Sequence, residues 1–282
     1  MKKFCHIAPT SYLNLVSGRP IHLALAHLVQ HHSSNEYIDF YKKENENGST
    51  IILDNSAFEM IKQGKKLYPS DKLIDMGKKI DADYIVLSDY PGEHSSFTIA
   101  AGVRYAKKFK DAGFKTFFVP QSQIGDQEDY INCFEWASES NDVDYIGVSI
   151  LGVPNSYGSI EKNNKLQRFL SRLDMMYKLK KLGILDKCKQ NGKKIHFLGM
   201  LDGPNEIKFM NPFKDYIDSW DSSSAVWAGL NDISYDNSPT GLINGKFEKE
   251  VNFSFDPSKL VNPSKAKRNI EYIDQLIQEY LN

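Results

Sequence analysis

Residues 84–91 read Tyr-Ile-Val-Leu-Ser-Asp-Tyr-Pro, a short apolar run that ends in a carboxylate and is broken by a proline. Six further β-rich runs occupy 4–8, 50–53, 116–119, 145–150, 195–198 and 216–220. Most of them are continuously apolar rather than alternating, a pattern typical of parallel strands that are covered on both faces. The chain is therefore predicted to form a parallel sheet.

Helical patterns separate these runs, at 70–80, 96–112, 127–138, 164–182, 205–210 and 263–281. Alternation of strand and helix predicts an α/β fold, a (β/α)8 barrel in which residues 1–282 form a single domain. A doubly wound open sheet is the alternative. A glycine-rich turn after the first strand would favour it, but residues 9–12 read Pro-Thr-Ser-Tyr. An eighth strand is placed at 251–255, within an otherwise irregular segment at about 231–256.

The composition bounds the possible function. The 282 residues carry 35 basic and 36 acidic side chains, and 12% are aromatic, which excludes a disordered chain. No apolar run approaches the ~20 residues that span a bilayer, so no membrane partner is expected. Cys5, Cys133 and Cys188 lie far apart, which suits a reducing cytoplasm and offers no disulfide framework. His6 and His196 fall in predicted strands and are interpreted as core histidines.

One segment departs from the near-zero net charge. Between Glu161 and His196 the sequence has eleven basic and three acidic residues. One interpretation is a patch that faces phosphates, which would make nucleic-acid binding depend on salt concentration. The alternative is a solvated, lysine-rich helix face. The candidate nucleic-acid contacts are Lys162, Lys165, Arg168 and Arg172.

Polar side chains cluster where the predicted strands end. Asp54, Asp89 and Asp221 each follow an apolar run, and Gln121 ends the run at 116–119. An aspartate after a strand is commonly a turn residue or a helix cap. In a barrel, however, catalytic groups come from these strand ends, so the three carboxylates are expected to converge. Converging carboxylates suit acid–base work, covalent catalysis at an anomeric carbon, or metal binding.

The order of these segments resembles the guanine transglycosylases, (β/α)8 enzymes that exchange guanine in nucleic acid for a 7-deazaguanine base. Asp-Asn-Ser-Ala-Phe-Glu at 54–59 resembles the family's Asp-Ser-Gly-Gly-Phe-Gln, and Trp-Asp-Ser-Ser at 220–223 resembles its nucleophile motif Phe-Asp-Cys-Val. Four more matches lie between them in the family's order, at 86–91, 119–122, 146–152 and 197–201.

The resemblance implies a role for each matched residue. Asp221 would attack C1′ and hold a covalent glycosyl intermediate, and Asp54 would be the general base that deprotonates the incoming base. Asp89 and Gln121 would bind the guanine-like edge, because a carboxylate accepts from two paired N–H donors. Further residues implied in the base pocket, by lining or stacking, are Gly147, Val148, Ser149, Phe58 and Tyr90.

Two departures from the family pattern refine these expectations. The tRNA-specific enzymes carry a cysteine-rich zinc site and a basic segment after the nucleophile, and this chain has neither. No metal and no cofactor are therefore expected. The pattern looks more like the phage and bacterial DNA-guanine transglycosylases, which favours DNA over tRNA as the partner. Three alternatives stay open: a tRNA-guanine transglycosylase, a barrel N-glycosidase or other hydrolase, and a non-catalytic nucleic-acid-binding barrel.

Overall fold

The computed structural model describes residues 3–30, 35–158, 165–200, 203–242 and 263–282. Within these residues a single sheet contains eight strands, all paired in parallel. They are β1 Lys3–His6, β2 Ile21–Leu25, β3 Thr50–Asp54, β4 Tyr84–Val86, β5 Lys115–Phe118, β6 Tyr145–Ser149, β7 Lys194–Leu198 and β8 Ser219–Ser222. The sheet runs from β1 through β8, β7 and so on to β2, and its two end strands contact each other. The predicted (β/α)8 barrel is thereby confirmed.

Helices flank the sheet and connect its strands. They are α1 Ala26–Val29, α2 Asn35–Glu46, α3 Ala57–Lys62, α4 Ser70–Lys79, α5 Ser95–Asp111, α6 Gln127–Glu139, α7 Gly152–Ser156, α8 Lys165–Lys181, α9 Ile184–Gln190, α10 Glu206–Phe209, α11 Ser224–Leu230 and α12 Ser264–Tyr280. No helix in the described ranges is long and apolar enough to cross a membrane.

Seven strands match the predicted runs, and the eighth is a correction. It is β2, Ile21–Leu25, whereas the predicted segment at 251–255 lies outside the described residues. Sequence reasoning missed β2 because it passes directly into α1 with no turn residue between them, and short apolar runs do not distinguish a strand from a buried helix.

Aspartates placed just before alternate strands tie the starts of neighbouring strands together. Each accepts a hydrogen bond of 2.8 Å from a backbone N–H at the start of the preceding strand: Asp83 from Ile51, Asp144 from Thr116 and Asp218 from Ile195. A charged acceptor makes such a bond stronger than a neutral one. This repeated contact helps to fix the strand register and therefore the height at which each strand ends.

We expect Gly229→Ala to destabilise the fold more than Gly147→Ala. A Cβ at Gly229 would lie 2.2 Å from the backbone N of Ala266 in α12. At Gly147 it would meet side chains alone, with Leu198 and Phe117 at 2.7 Å and Val119 at 3.2 Å. Side chains can rotate away and a packed helix backbone cannot. Urea unfolding should show that the free energy of unfolding falls by about 3 kcal/mol in Gly229→Ala and by about 1 kcal/mol in Gly147→Ala, within the range of overpacked cores. Equal losses would contradict this packing of α12.

Candidate active site

A cavity of about 340 Å³ opens at the carboxyl ends of the strands. Asp54 and Ser149 are the last residues of β3 and β6, Asp221 lies within β8, and Asp89 and Gln121 follow β4 and β5. All five line this cavity. Phe58 lines it as well, with 47% of its surface exposed. The barrel thus gathers six of the predicted site residues into one space.

Asp89 is held by two side-chain amides. Asn55 Nδ2 donates to its Oδ1 at 2.8 Å, and Gln121 Nε2 donates to its Oδ2 at 2.6 Å. Burial raises the pKa of Asp89 to about 6, while these two hydrogen bonds oppose the rise. Each carboxylate oxygen retains a lone pair, so the ionised group can accept further donors from a ligand.

Gln121 retains an unpaired acceptor. Its Oε1 is buried and has no hydrogen-bond partner among the described residues. Leaving such a group unsatisfied costs about 1–3 kcal/mol. Gly152 allows the loops to approach here, because a Cβ on it would lie 2.6 Å from the Pro120 carbonyl oxygen and 3.0 Å from Gln121 Oε1.

Asp54 lies at the start of a strained turn. Its Oδ1 accepts from the backbone N–H of Ser56 at 2.6 Å, and Ser56 adopts a left-handed conformation with φ of 57°. That conformation is uncommon for residues other than glycine, and it costs backbone strain. The backbone N–H and the ring nitrogen Nδ1 of His27 bond the Ser56 hydroxyl at 3.2 and 3.0 Å and secure the turn.

Glu59 is a cavity residue that the sequence analysis did not predict. It lines the cavity, and burial raises its pKa. The pKa of Asp54 is raised well above its usual range, first by burial and then by the Glu59 carboxylate. A signal was present in the sequence, since Glu59 lies only five residues after Asp54, in the segment that leaves the carboxyl end of β3. With Asp54, Asp89 and Asp221 it makes four carboxyl groups, and no lysine, arginine or histidine from the described residues lines this cavity.

Asp221 is held through one oxygen only. Its Oδ1 accepts from His196 Nε2 at 2.9 Å and from the backbone N–H of Gly199 at 3.2 Å. Among the described residues none donates to Oδ2. The carboxylate therefore has one oxygen held by two donors and a second oxygen to which no described residue donates. His196 is buried as predicted, but its contact with Asp221 was not foreseen.

Three predicted substrate-binding residues do not line the cavity. Gly147 is packed against Leu198 and Phe117 inside the barrel, and Val148 is fully buried. Tyr90 is half-buried, and its ring lies 6.4 Å from that of Phe97.

Arg172 requires a correction, because it does not face a phosphate. It is fully buried and forms a bidentate pair with Glu206, from Nε at 2.7 Å and from Nη2 at 2.6 Å. Its remaining N–H groups donate to the carbonyls of Val148, Leu198 and Gly199. Arg172 therefore ties together the ends of β6 and β7. Arg168 is half-buried on α8, whereas Lys162 and the side chain of Lys165 lie outside the described residues.

Comparisons with known proteins do not extend this description. No family model and no curated protein matches the chain. Within the described ranges, no group of three or more histidine, cysteine, aspartate or glutamate side chains could hold a metal ion.

The raised pKa of Asp89 predicts a specific pH dependence of stability. In the unfolded chain Asp89 ionises near pH 4, but in the folded protein only near pH 6. Its contribution is therefore most favourable below pH 4 and is lost as the pH rises to about 6. When the pH is raised from about 4.5 to about 7, the loss of this contribution lowers the free energy of unfolding of the unmodified protein. We expect that decrease to be about 2 kcal/mol larger in the unmodified protein than in Asp89→Asn. Urea unfolding at the two pH values measures this, and identical pH dependences would refute the assignment.

Proposed function

We propose that this protein is a base-exchange transglycosylase that replaces guanine in nucleic acid, DNA in preference to tRNA, with a 7-deazaguanine base. One observation carries the proposal. Asp54, Asp89, Gln121 and Asp221, to which the sequence resemblance gives the four central roles, line one cavity of about 340 Å³. That volume lies within the range of small-molecule pockets.

The recognition of the base rests on Asp89 and Gln121. Guanine presents adjacent N–H donors at N1 and at its 2-amino group, and an ionised carboxylate accepts both. Above about pH 6 Asp89 is ionised and carries free lone pairs. The unpaired Oε1 of Gln121 supplies another acceptor for a base rich in N–H donors.

The exchange proceeds in two displacements at C1′. Oδ2 of Asp221 forms a bond to C1′ while the bond to guanine N9 breaks, which leaves a glycosyl ester. The incoming base then attacks C1′ and the carboxylate departs, so the sugar retains its configuration. Asp54, whose raised pKa favours the protonated form, gives its proton to the departing guanine and afterwards takes the proton of the incoming base.

Less of the positive charge between residues 161 and 196 is accessible to a nucleic acid than the count of basic residues implies. Helix α8 follows β6, so its start lies at the cavity edge of the barrel and its end lies at the opposite edge. Lys178 near that far end is paired with Asp174 at 2.6 Å, and Arg172 is buried. Among the basic side chains of α8 that the structure describes, Arg168 is the one nearest the start of the helix and hence the side from which a nucleic acid would reach Asp221.

Radiolabelled guanine, incubated with guanine-containing DNA or with tRNA, tests the activity. We expect label to enter DNA and to enter tRNA more slowly. Asp221→Asn should abolish incorporation while DNA binding persists, because the nucleophile is lost and the fold is kept. Asp54→Asn should lower kcat by about 10²- to 10⁴-fold, as expected for a general acid–base group. Asp111→Asn, a surface aspartate paired with Lys107, is the matched control and should exchange normally.

The other outcomes each contradict the proposal in a recognisable way. Release of guanine without incorporation would identify a hydrolase with water as acceptor. DNA binding without either reaction would identify a binding protein. Undiminished exchange by Asp221→Asn would refute the nucleophile.

A further inference from the structure

A chain of three hydrogen bonds crosses the barrel interior and ends at Asp221. Tyr145 Oη and Ser219 Oγ are 2.9 Å apart, Ser219 Oγ and His196 Nδ1 are 2.7 Å apart, and His196 Nε2 lies 2.9 Å from Asp221 Oδ1. All four side chains are buried. Asp221 lines the candidate active site, and Tyr145 lines a second cavity, of about 230 Å³, at the opposite end of the strands. The chain thus links the two ends of the barrel.

The direction of this chain follows from the acceptor at its end. An ionised carboxylate only accepts, so His196 Nε2 must carry the proton that it shares with Asp221. With a neutral imidazole, Nδ1 then accepts from Ser219, and Ser219 accepts from Tyr145. Burial raises the pKa of Tyr145, which keeps its hydroxyl protonated and able to donate. The rings of Phe117 and Tyr145 meet the imidazole edge-on, at 72° and 89°, and restrict its plane.

We propose that His196 is a positioning residue for Asp221 and that Ser219 and Tyr145 fix its tautomer; this rests on the proposed role of Asp221 as nucleophile. His196 and the Gly199 N–H both occupy Oδ1, so Oδ2 is the oxygen that bonds C1′. A hydrogen bond to a carboxylate is stronger than one to a neutral carbonyl. Both donors therefore stabilise the free carboxylate relative to the glycosyl ester, which speeds the second displacement and keeps the ester from accumulating.

The hydrogen-bond chain can be tested without any substrate. In protein labelled with ¹⁵N-histidine, with His196→Gln used to assign the signal, the His196 ring should carry a proton on Nε2. Asp221→Ala should shift that proton upfield because its charged acceptor is gone. Ser219→Ala should change the Nδ1 nitrogen shift. An unprotonated Nε2, or signals unaffected by both substitutions, would overturn the chain.

The positioning role is tested by the fate of the covalent intermediate. We expect His196→Phe to lower kcat by about 10²-fold, as the loss of one charge-stabilising donor does, with KM for the base within twofold. The fraction of protein trapped as a nucleic-acid ester after denaturing quench should rise about fivefold. His196→Gln retains an N–H donor and should restore both values. His22→Gln removes another buried histidine, paired with Glu44 away from the cavity, and should change neither.

Thermal unfolding shows whether the His196→Phe variant folds. If it does not fold, Ser219→Ala replaces it in the test and must likewise raise the ester fraction. A slower enzyme whose ester fraction is unchanged or lower in these variants would overturn the positioning role, because a merely structural defect slows both displacements. An unmodified protein that exchanges no base would refute the proposed function, and with it any catalytic role of His196. The NMR result would still decide whether the hydrogen-bond chain exists.

Discussion

Four carboxyl groups share one cavity whose walls are largely apolar, and the cost of ionising them together governs the candidate site. Asp54, Glu59, Asp89 and Asp221 come from three segments far apart in sequence, and the closed parallel barrel forces them together. No cation from the described residues lines the cavity to neutralise them. Instead, the fold supplies neutral donors: two amides for Asp89, a backbone N–H for Asp54, and a histidine with a backbone N–H for Asp221.

The unequal distribution of these donors gives the carboxyl groups different environments. Asp89 receives donors on both oxygens, so the pKa of Asp89 rises only to about 6 despite its burial. Asp54 receives a single backbone donor, and burial together with the Glu59 carboxylate raises its pKa well above the usual range. In the proposed reaction, ionised Asp89 thus suits the recognition of N–H donors, and Asp54 suits proton transfer.

The sequence predicted the barrel and most of the cavity because both depend on local patterns. An apolar run that ends in a polar residue places that residue at the carboxyl edge of the sheet. Closure of the sheet into a barrel then brings these polar residues together. The strand β2 and the contact between His196 and Asp221 were missed because they depend on boundaries and pairings that periodicity does not encode. Val148 was predicted to line the same pocket as Ser149, but side chains alternate along β6, so Ser149 lines the cavity and Val148 does not. Arg172 was misassigned because a charge count does not reveal a buried partner such as Glu206.

Identification of the residue that becomes covalently bound to nucleic acid tests the central claim most directly. The protein is incubated with guanine-containing DNA without an incoming base, quenched in denaturant, digested with nuclease and protease, and analysed by tandem mass spectrometry. We expect a deoxyribose-linked fragment on the peptide that contains Asp221, with the added mass on that side chain. An adduct on Asp54 or Glu59, or base exchange with no adduct on Asp221, would contradict it.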